Sequence, residues 1–407
     1  PKQKAVADAL DTGKNSGPSP DGQKMLDKIN SSITTDTGPA ALDALSGAQT
    51  TAIPTTALTS NMHLSSAVHE HAFGALGFDD DQCLSYDTFK TKKEEDRCHS
   101  RQPIKASPKQ AAAGSTATAA PAPQVIERPW QVWGEALGGL SETFSRNGLP
   151  GVTGTDMGGL IGIDRIFQPG LRAGLVIGGT NASFSVDHGA TDGHMDAAHL
   201  RLYGIAESGP TYIYGSLGYG QYWGKDTRTL SNIGTQEKWN GTYTLSGLSA
   251  DIEVGYRKRY DTYILTPFIG LSASMLRQDA YSETSDNANA VYGLSYDAHT
   301  TNSLPGSLGV QIESHLRGSG EWKSAEFFRA AWIHDFNTDR SLTARFNNLS
   351  AGSFTVSGIS GDADMARLVA GITSVNGKGS TLFSNLTGDF SDSTRIYSLH
   401  LGYKYEW

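Results

Sequence analysis

Few residues of this chain stand where side-chain chemistry would need them. His69, Glu70 and His71 are consecutive, so a helix would set the two imidazoles two positions apart. Residues sharing a helical face are three or four apart, and this pair does not close on one metal ion. The stretch is expected as a helix surface that is solvated or faces a lumen. His334 and Asp335 have the residue types of an acid–base pair, but neighbours in a strand point to opposite faces and do not cooperate directly. A pore-lining or girdle role is expected for them. His188 and His194 fall in a polar loop and are expected to be solvated. No Gly-x-Ser-x-Gly elbow, phosphate-binding Gly-rich loop, His-Glu-x-x-His or calcium loop is present. No catalytic residue, cofactor or metal is therefore expected. Cys83 and Cys98 are the only cysteines, with fourteen residues between them. Such a pair in an exported chain reads as one small disulfide loop, since a metal site needs more ligands than the adjacent His99 supplies.

The elements that would position these residues are plainest at the C-terminus. Tyr397, Leu399, Leu401, Tyr403, Tyr405 and Trp407 alternate with Ser398, His400, Gly402, Lys404 and Glu406. One strand face is therefore apolar and the other wettable. At the edge of a soluble sandwich that face would be an aggregation site. It suits the last strand of an outer-membrane barrel, with oil outside and water within. The same alternation recurs from residue 128 onward. Ile252, Val254 and Tyr256 oppose Asp251, Glu253 and Arg257, while Leu200 and Leu202 oppose His199, Arg201 and Tyr203. Arg201, Asp251, Glu253 and Arg257 are thus expected to face a lumen, because a dry core would not accept so many ions. Short and long turns alternate, and about twelve antiparallel strands are expected, at 129–139, 156–166, 170–186, 194–208, 211–228, 242–259, 262–281, 298–316, 324–336, 363–375, 380–390 and 396–407. The facing of 324–336 is ambiguous, because Phe327, Phe328, Trp332 and Phe336 occupy both parities. Trp130, Trp133, Tyr263, Tyr403, Tyr405 and Trp407 lie near strand ends, where amphipathic rings favour the membrane–water boundary.

Composition agrees with an all-β transmembrane barrel carrying a partly helical N-terminal linker. The 407 residues are 38% hydrophobic and rich in glycine (47) and tyrosine (16). No apolar run reaches the length of a transmembrane helix. The net charge of −9 argues against a nucleic-acid partner. Residues 1–78 carry short amphipathic candidates at Lys4–Asp11, Gly22–Ile33 and Ala40–Leu45, then a longer one at Ala57–Phe78. The last would run roughly 30 Å, about the thickness of a bilayer core. Residues 79–127 hold the cysteine loop, the charged run Lys90–Arg97 and an Ala/Pro/Ser/Thr linker. Residues 128–407 form the barrel. No apolar stretch follows Lys2 and Lys4, so no secretory signal is present and an exported chain would begin upstream.

A family resemblance adds to this reading. Trp130-Gln-Val-Trp133-Gly-Glu, the block from Asp156 to Arg165, Leu171-Arg-Ala-Gly-Leu and His199-Leu-Arg-Leu-Tyr203-Gly occur in that order. Trp332-Ile-His334-Asp335-Phe336, Ser353-Phe354-Thr-Val-Ser-Gly358 and the terminal Leu401–Trp407 follow. Together they resemble the autotransporter (type V secretion) β-domain over residues 128–407. Upstream, Gln3–Asp11 and Ala41–Gly47 resemble the stretch that commonly precedes such barrels. The resemblance implies a twelve-stranded barrel in the outer membrane of a Gram-negative bacterium. It would export and anchor its own N-terminal passenger, here missing or reduced to residues 1–56. A helical linker threads such lumens, which points to Ala57–Phe78, although about fifty residues separate it from the first strand. That spacing would leave the cysteine loop in the periplasm. The implied partners are the passenger, the barrel-assembly machinery, which would read the terminal aromatics, and outer-membrane lipids with lipopolysaccharide. Some members cut their passenger with lumen residues that include a linker asparagine. The linker here offers Asn61 followed by Met62, with no Asn-Asn pair. Asp251 and Glu253 either assist such a cut or pair with Arg257, Arg201 or linker lysines. Two other classes remain open, a barrel hydrolase using His188, His194 or His334, and a passive porin or adhesin.

Overall fold

The computed structural model describes residues 1–74 and 130–407, apart from positions 35, 147, 169, 188, 189, 232, 235, 315, 316, 319, 320 and 377. Cys83, Cys98, His188 and the linker 79–127 lie outside the described residues.

Twelve strands close into one antiparallel barrel. They are β1 (Trp130–Thr143), β2 (Val152–Gln168), β3 (Leu171–Val186), β4 (Thr191–Ser208), β5 (Thr211–Leu230) and β6 (Glu237–Tyr256). The ring continues through β7 (Tyr263–Gln278), β8 (His299–Ser303 and Pro305–Ser314), β9 (Trp322–Asp335), β10 (Asp364–Asn376), β11 (Ser380–Phe390) and β12 (Thr394–Glu406). Sequential neighbours pair throughout, and β12 returns to β1 with Ala136 opposite Leu401. Closure leaves no open edge, so the backbone polar groups of the wall are satisfied between strands. None of the described helices is long and apolar enough to cross a membrane.

The side chains of the wall follow the expected parity around a central belt. On β12, Tyr397, Leu399, Leu401, Tyr403 and Tyr405 are exposed, while Ser398, His400 and Lys404 are buried. On β9, Phe328 and Trp332 face outward, as does Phe336 just past its end, and Ala325 and Arg329 face inward, which resolves the ambiguous strand.

Toward the long-loop end of β3–β6 the polarity inverts. Asp192, His194 and Asp196 take the outward parity of β4, and Met195 and Ala197 are buried inside. On β6, Lys238, Asn240 and Thr242 share the parity of outward Leu248 and Ile252, opposite buried Trp239, Tyr243 and Leu245. A strand with oil outside has become a strand with water outside and a dry core within. The inversion explains why β4 and β6 begin earlier than expected, and why His194 lies in a strand rather than a loop.

That dry core is shared with the N-terminal segment. Helix α1 (Lys2–Asn15) buries Val6, Ala9, Leu10 and Gly13, one helical stripe. Helix α2 (Pro20–Ser32) starts with Pro20 after the N-cap Ser19, whose hydroxyl accepts from the Gly22 amide at 3.1 Å. It buries Gly22, Met25, Leu26 and Ile29. Helix α3 (Gly38–Leu45) and a 3-10 turn (Ala48–Thr51) follow. The two longest loops contribute a small four-stranded sheet: Tyr281–Ser282, Leu294–Tyr296, Ser341–Phe346 and Ser353–Ser357. Helices, sheet and upper strands form one apolar cluster, so residues 1–51 and the loops make a cap over one mouth of the barrel.

Helix α4 (Ala52–Gly74) leaves the cap and runs inside the ring toward the short-turn end. It begins five residues before the expected Ala57, because Pro54 is tolerated in a first helical turn, where its missing N–H has no intrahelical partner anyway.

Candidate functional site

The functional site is the contact between α4 and the inward face of the barrel. On one wall, Ser60 Oγ donates to Thr180 Oγ1 at 3.1 Å, and His63 Nδ1 lies 2.9 Å from Asp156 Oδ1. Two turns further, His71 Nε2 lies 2.8 Å from Asp164 Oδ2. Tyr203 donates its hydroxyl to the same oxygen and accepts from Trp133 Nε1 at 3.1 Å. The Trp133 ring stacks on His71 with centroids 4.0 Å apart. Arg172 reaches the carbonyl of Ala72 near the end of the helix.

The other face of α4 meets the charges expected in the lumen. Asp251 accepts from Ser65 Oγ at 2.8 Å and pairs with Arg201. Arg201 also donates to Asn61 Oδ1 at 3.2 Å, and Asn61 Nδ2 donates to Ser274 Oγ at 3.3 Å. Glu253 lies 3.2 Å from His69 Nε2, accepts from Tyr212 at 2.8 Å and pairs with Arg329. Arg201, Asp251 and Glu253 therefore gather around the helix. Arg257 meets the end of the helix but pairs with neither carboxylate. It lies just past β6, 2.9 Å from Glu207, with its guanidinium over the Tyr212 and Phe73 rings. The pairing considered for the two carboxylates is met by Arg201 and Arg329, not by Arg257 or a linker lysine.

His69 and His71 serve separate walls, Glu253 and Asp164, as their spacing requires. Both are sheltered inside the barrel rather than solvated. Trp133 is corrected. It is an inward, buried residue and no part of an outer girdle. Trp130 and Trp133 are three apart, and that odd spacing in a strand already placed them on opposite faces. Trp130, Tyr263, Tyr403, Tyr405 and Trp407 are exposed on the outside at the short-turn end, and Trp407 N donates to the Trp130 carbonyl at 3.1 Å. His334 pairs with Asp364 across the ladder at 2.8 Å, while Asp335 turns inward to Ser303 Oγ. Asp156, Asp164, Arg172 and Arg329 were not singled out from the sequence. Asp156 and Asp164 share the parity opposite Met157, Ile161 and Ile163 on β2, which was the available clue.

The helix contacts mainly β1–β5, and a cavity of about 260 Å³ remains along β7–β10. Asn61, Ser65 and Ser66 line it from the helix, and Ser272, Ser274 and Arg329 from the wall. At the cap end, Lys28 lies 3.1 Å from Glu237, Arg228 donates to the Ala44 carbonyl at 3.3 Å, and the Ile359 amide donates to Thr51 Oγ1 at 2.9 Å. Asp362 ties three loops by accepting from Arg146, Ser391 and Ser393 at 2.6–2.7 Å. Partial burial pushes its carboxyl up, but the Ser393 and Ser391 hydrogen bonds, with Arg146, outweigh that and hold it below the ordinary carboxylate range. The arrangement is a socket of charged and polar wall residues that holds a helix by hydrogen bonds, and a cap that covers its entrance.

Comparison with known proteins follows the same lines. A family model described as an autotransporter beta-domain matches residues 132–387. The translocator domain of autotransporter NalP from Neisseria meningitidis superposes with TM-score 0.54 at 18% identity, over 69% of this chain and 89% of that one. The β domain of the Bordetella autotransporter Brka does so with TM-score 0.52 at 19% identity, over 69% of this chain and 100% of that one. At these identities the likeness shows the fold. No curated protein matches the chain.

Proposed function

The chain belongs to the autotransporter β-domain family, and from that premise we propose that it exports its own N-terminal passenger and then anchors it at the cell surface, with α4 as the segment left in the lumen. The family and the closed barrel indicate the outer membrane and imply export of a passenger. The observation that carries the finer reading is the set of matched contacts on both sides of α4, Ser60–Thr180 and His71–Asp164 on one and Ser65–Asp251 on the other. A lumen of polar sockets accepts an extended chain in water during passage. Once passage ends, the segment bearing His63, His69 and His71 satisfies those sockets as a helix, because burial of unpaired ions would be costly.

The cap belongs to the same mechanism. Residues 1–51 bury their apolar stripes against the loops and the upper ends of the strands, so docking there favours the state in which they have crossed. The step is physical and breaks no covalent bond. Tyr403, Tyr405 and Trp407, beside Trp130 at the short-turn end, are proposed as the girdle at that rim and as the signal read by the assembly machinery.

Planar-bilayer recording tests the reading. Removing residues 1–74 should open a large steady conductance that the full chain lacks. A passive porin would conduct alike with and without them, and that result would overturn the proposal. An epitope placed before Pro1 should be removed by protease added to intact cells; its protection in cells whose barrel is inserted would also overturn it.

A further inference from the structure

One polar group on the outer wall is used by neither the lumen nor the cap. Trp332, His334 and Phe336 project outward in succession from the end of β9, and Asp364 of β10 stands opposite His334 in register. Asp364 Oδ1 accepts from Trp332 Nε1 at 2.9 Å and lies 2.8 Å from His334 Nδ1. The His334 ring sits between the other two, with centroids 5.8 Å from Trp332 and 4.8 Å from Phe336. Phe336 is 66% exposed and Trp332 54%, and the Asp364 side chain is 62% exposed.

Their height on the barrel narrows what they meet. The outward row Leu308, Trp332 and Ala366 is apolar, and the next row toward the long loops is Gly306, His334 and Asp364. Across the ring, the belt gives way to polar residues between Leu200 and Asp196 on β4. The group therefore stands where the apolar belt ends on the long-loop side. A charged, exposed carboxylate held by an indole and an imidazole is poorly suited to acyl chains. It suits a headgroup that offers hydroxyl donors and a flat C–H face together, because a ring packs on that face while the carboxylate accepts the hydroxyls. The four residues include no Lys or Arg, which disfavours phosphate as the recognised group.

We propose that Trp332, His334, Phe336 and Asp364 bind the saccharide headgroup of an outer-leaflet glycolipid. The proposal rests on the outer-membrane reading and adds to it a defined site on the wall for the glycolipid already implied as a partner. Trp332 and Phe336 stack on the sugar, Asp364 accepts its hydroxyls, and His334 fixes the carboxylate.

The test uses the full chain folded in detergent and titrated with rough lipopolysaccharide or with phosphatidylglycerol of similar acyl length. Bound lipid is counted by native mass spectrometry. Lipopolysaccharide should be retained in preference, and Asp364→Asn and Trp332→Leu should each weaken it about tenfold, a single good contact. Trp332→Phe should recover part of the loss, and Trp322→Leu, at the opposite end of β9, should leave binding unchanged. Equal retention of both lipids, or unchanged affinity in Asp364→Asn and Trp332→Leu, overturns the site. Heat-modifiable migration of the same samples reports the barrel separately. A wild-type chain that never folds in either lipid would sink the membrane reading itself, and the site with it.

Discussion

His71 and Asp164 meet at 2.8 Å with both side chains almost fully sealed from solvent, although 93 residues separate them. The contact joins α4 to β2 and is roofed by the Trp133 ring. It lies near the far end of the helix, whereas Ser60, His63 and Ser65 lie nearer the cap.

Removing the Asp164 carboxylate leaves both His71 Nε2 and the Tyr203 hydroxyl buried without their partner, at about 1–3 kcal/mol each. Asp164→Ala should therefore loosen the helix and raise the open-channel fraction in single-channel records, with the barrel still heat-modifiable. Ser60→Ala removes one neutral hydrogen bond and should cost only about 1 kcal/mol. Equal closure in wild type and Asp164→Ala would show that this pair does not retain the helix.

The cap depends on a close approach between α1 and a loop. Gly352 has φ +97°, and a Cβ there would stand 2.3 Å from the Ala9 carbonyl oxygen. Gly352→Ala combines a left-handed backbone with a backbone clash and should cost about 2 kcal/mol or more. Tryptic cleavage after exposed Lys14 should accelerate in the folded protein. Gly361→Ala, with nothing within 4 Å of its Cβ, is the matched control and should leave the rate unchanged.

Period-two alternation made the belt legible. It placed Tyr397 to Tyr405 outward and Arg201, Asp251 and Glu253 inward, because one face had to meet oil. The same rule misled where the outside is water. Asp192 and His194 on β4 look like a loop until Met195 and Ala197 are seen to pack beneath the cap. The pieces Leu294–Tyr296 and Tyr281–Ser282 are too short to show any period. Partners such as Glu253 and Arg329, 76 residues apart, are set by barrel closure rather than by local spacing. Trp133 was missed because its residue type outweighed its parity.

Asp362 gives the cap a dependence on acidity. Its folded carboxyl titrates below the unfolded one, so its contribution is complete above the ordinary aspartate value of about 3.9 and is lost as pH falls through the lower folded value. Hydrogen exchange in 144–151 and 391–393 should be slow at pH 5 and rise steeply as that lower value is crossed, after correction for intrinsic rates. Asp362→Asn should be faster at pH 5 and show little further rise. Identical corrected profiles for the two proteins would remove Asp362 as the cause.

The inversion of polarity along β6 fixes where the membrane ends, and two arginines can read it. Ile252 and Thr242 lie on the same outward face of one strand, ten positions apart, and both are exposed. If oil surrounds Ile252, an arginine there carries its charge into the belt and costs ~2–4 kcal/mol. If water surrounds Thr242, the same substitution changes stability by less than about 0.5 kcal/mol, as on any soluble surface. Urea unfolding in lipid vesicles, followed by tryptophan fluorescence, should show a lowered midpoint for Ile252→Arg alone. Equal penalties would mean that the belt reaches Thr242, and the cup beneath the cap would then lie within the bilayer, where Lys238 and Asn240 could not face outward.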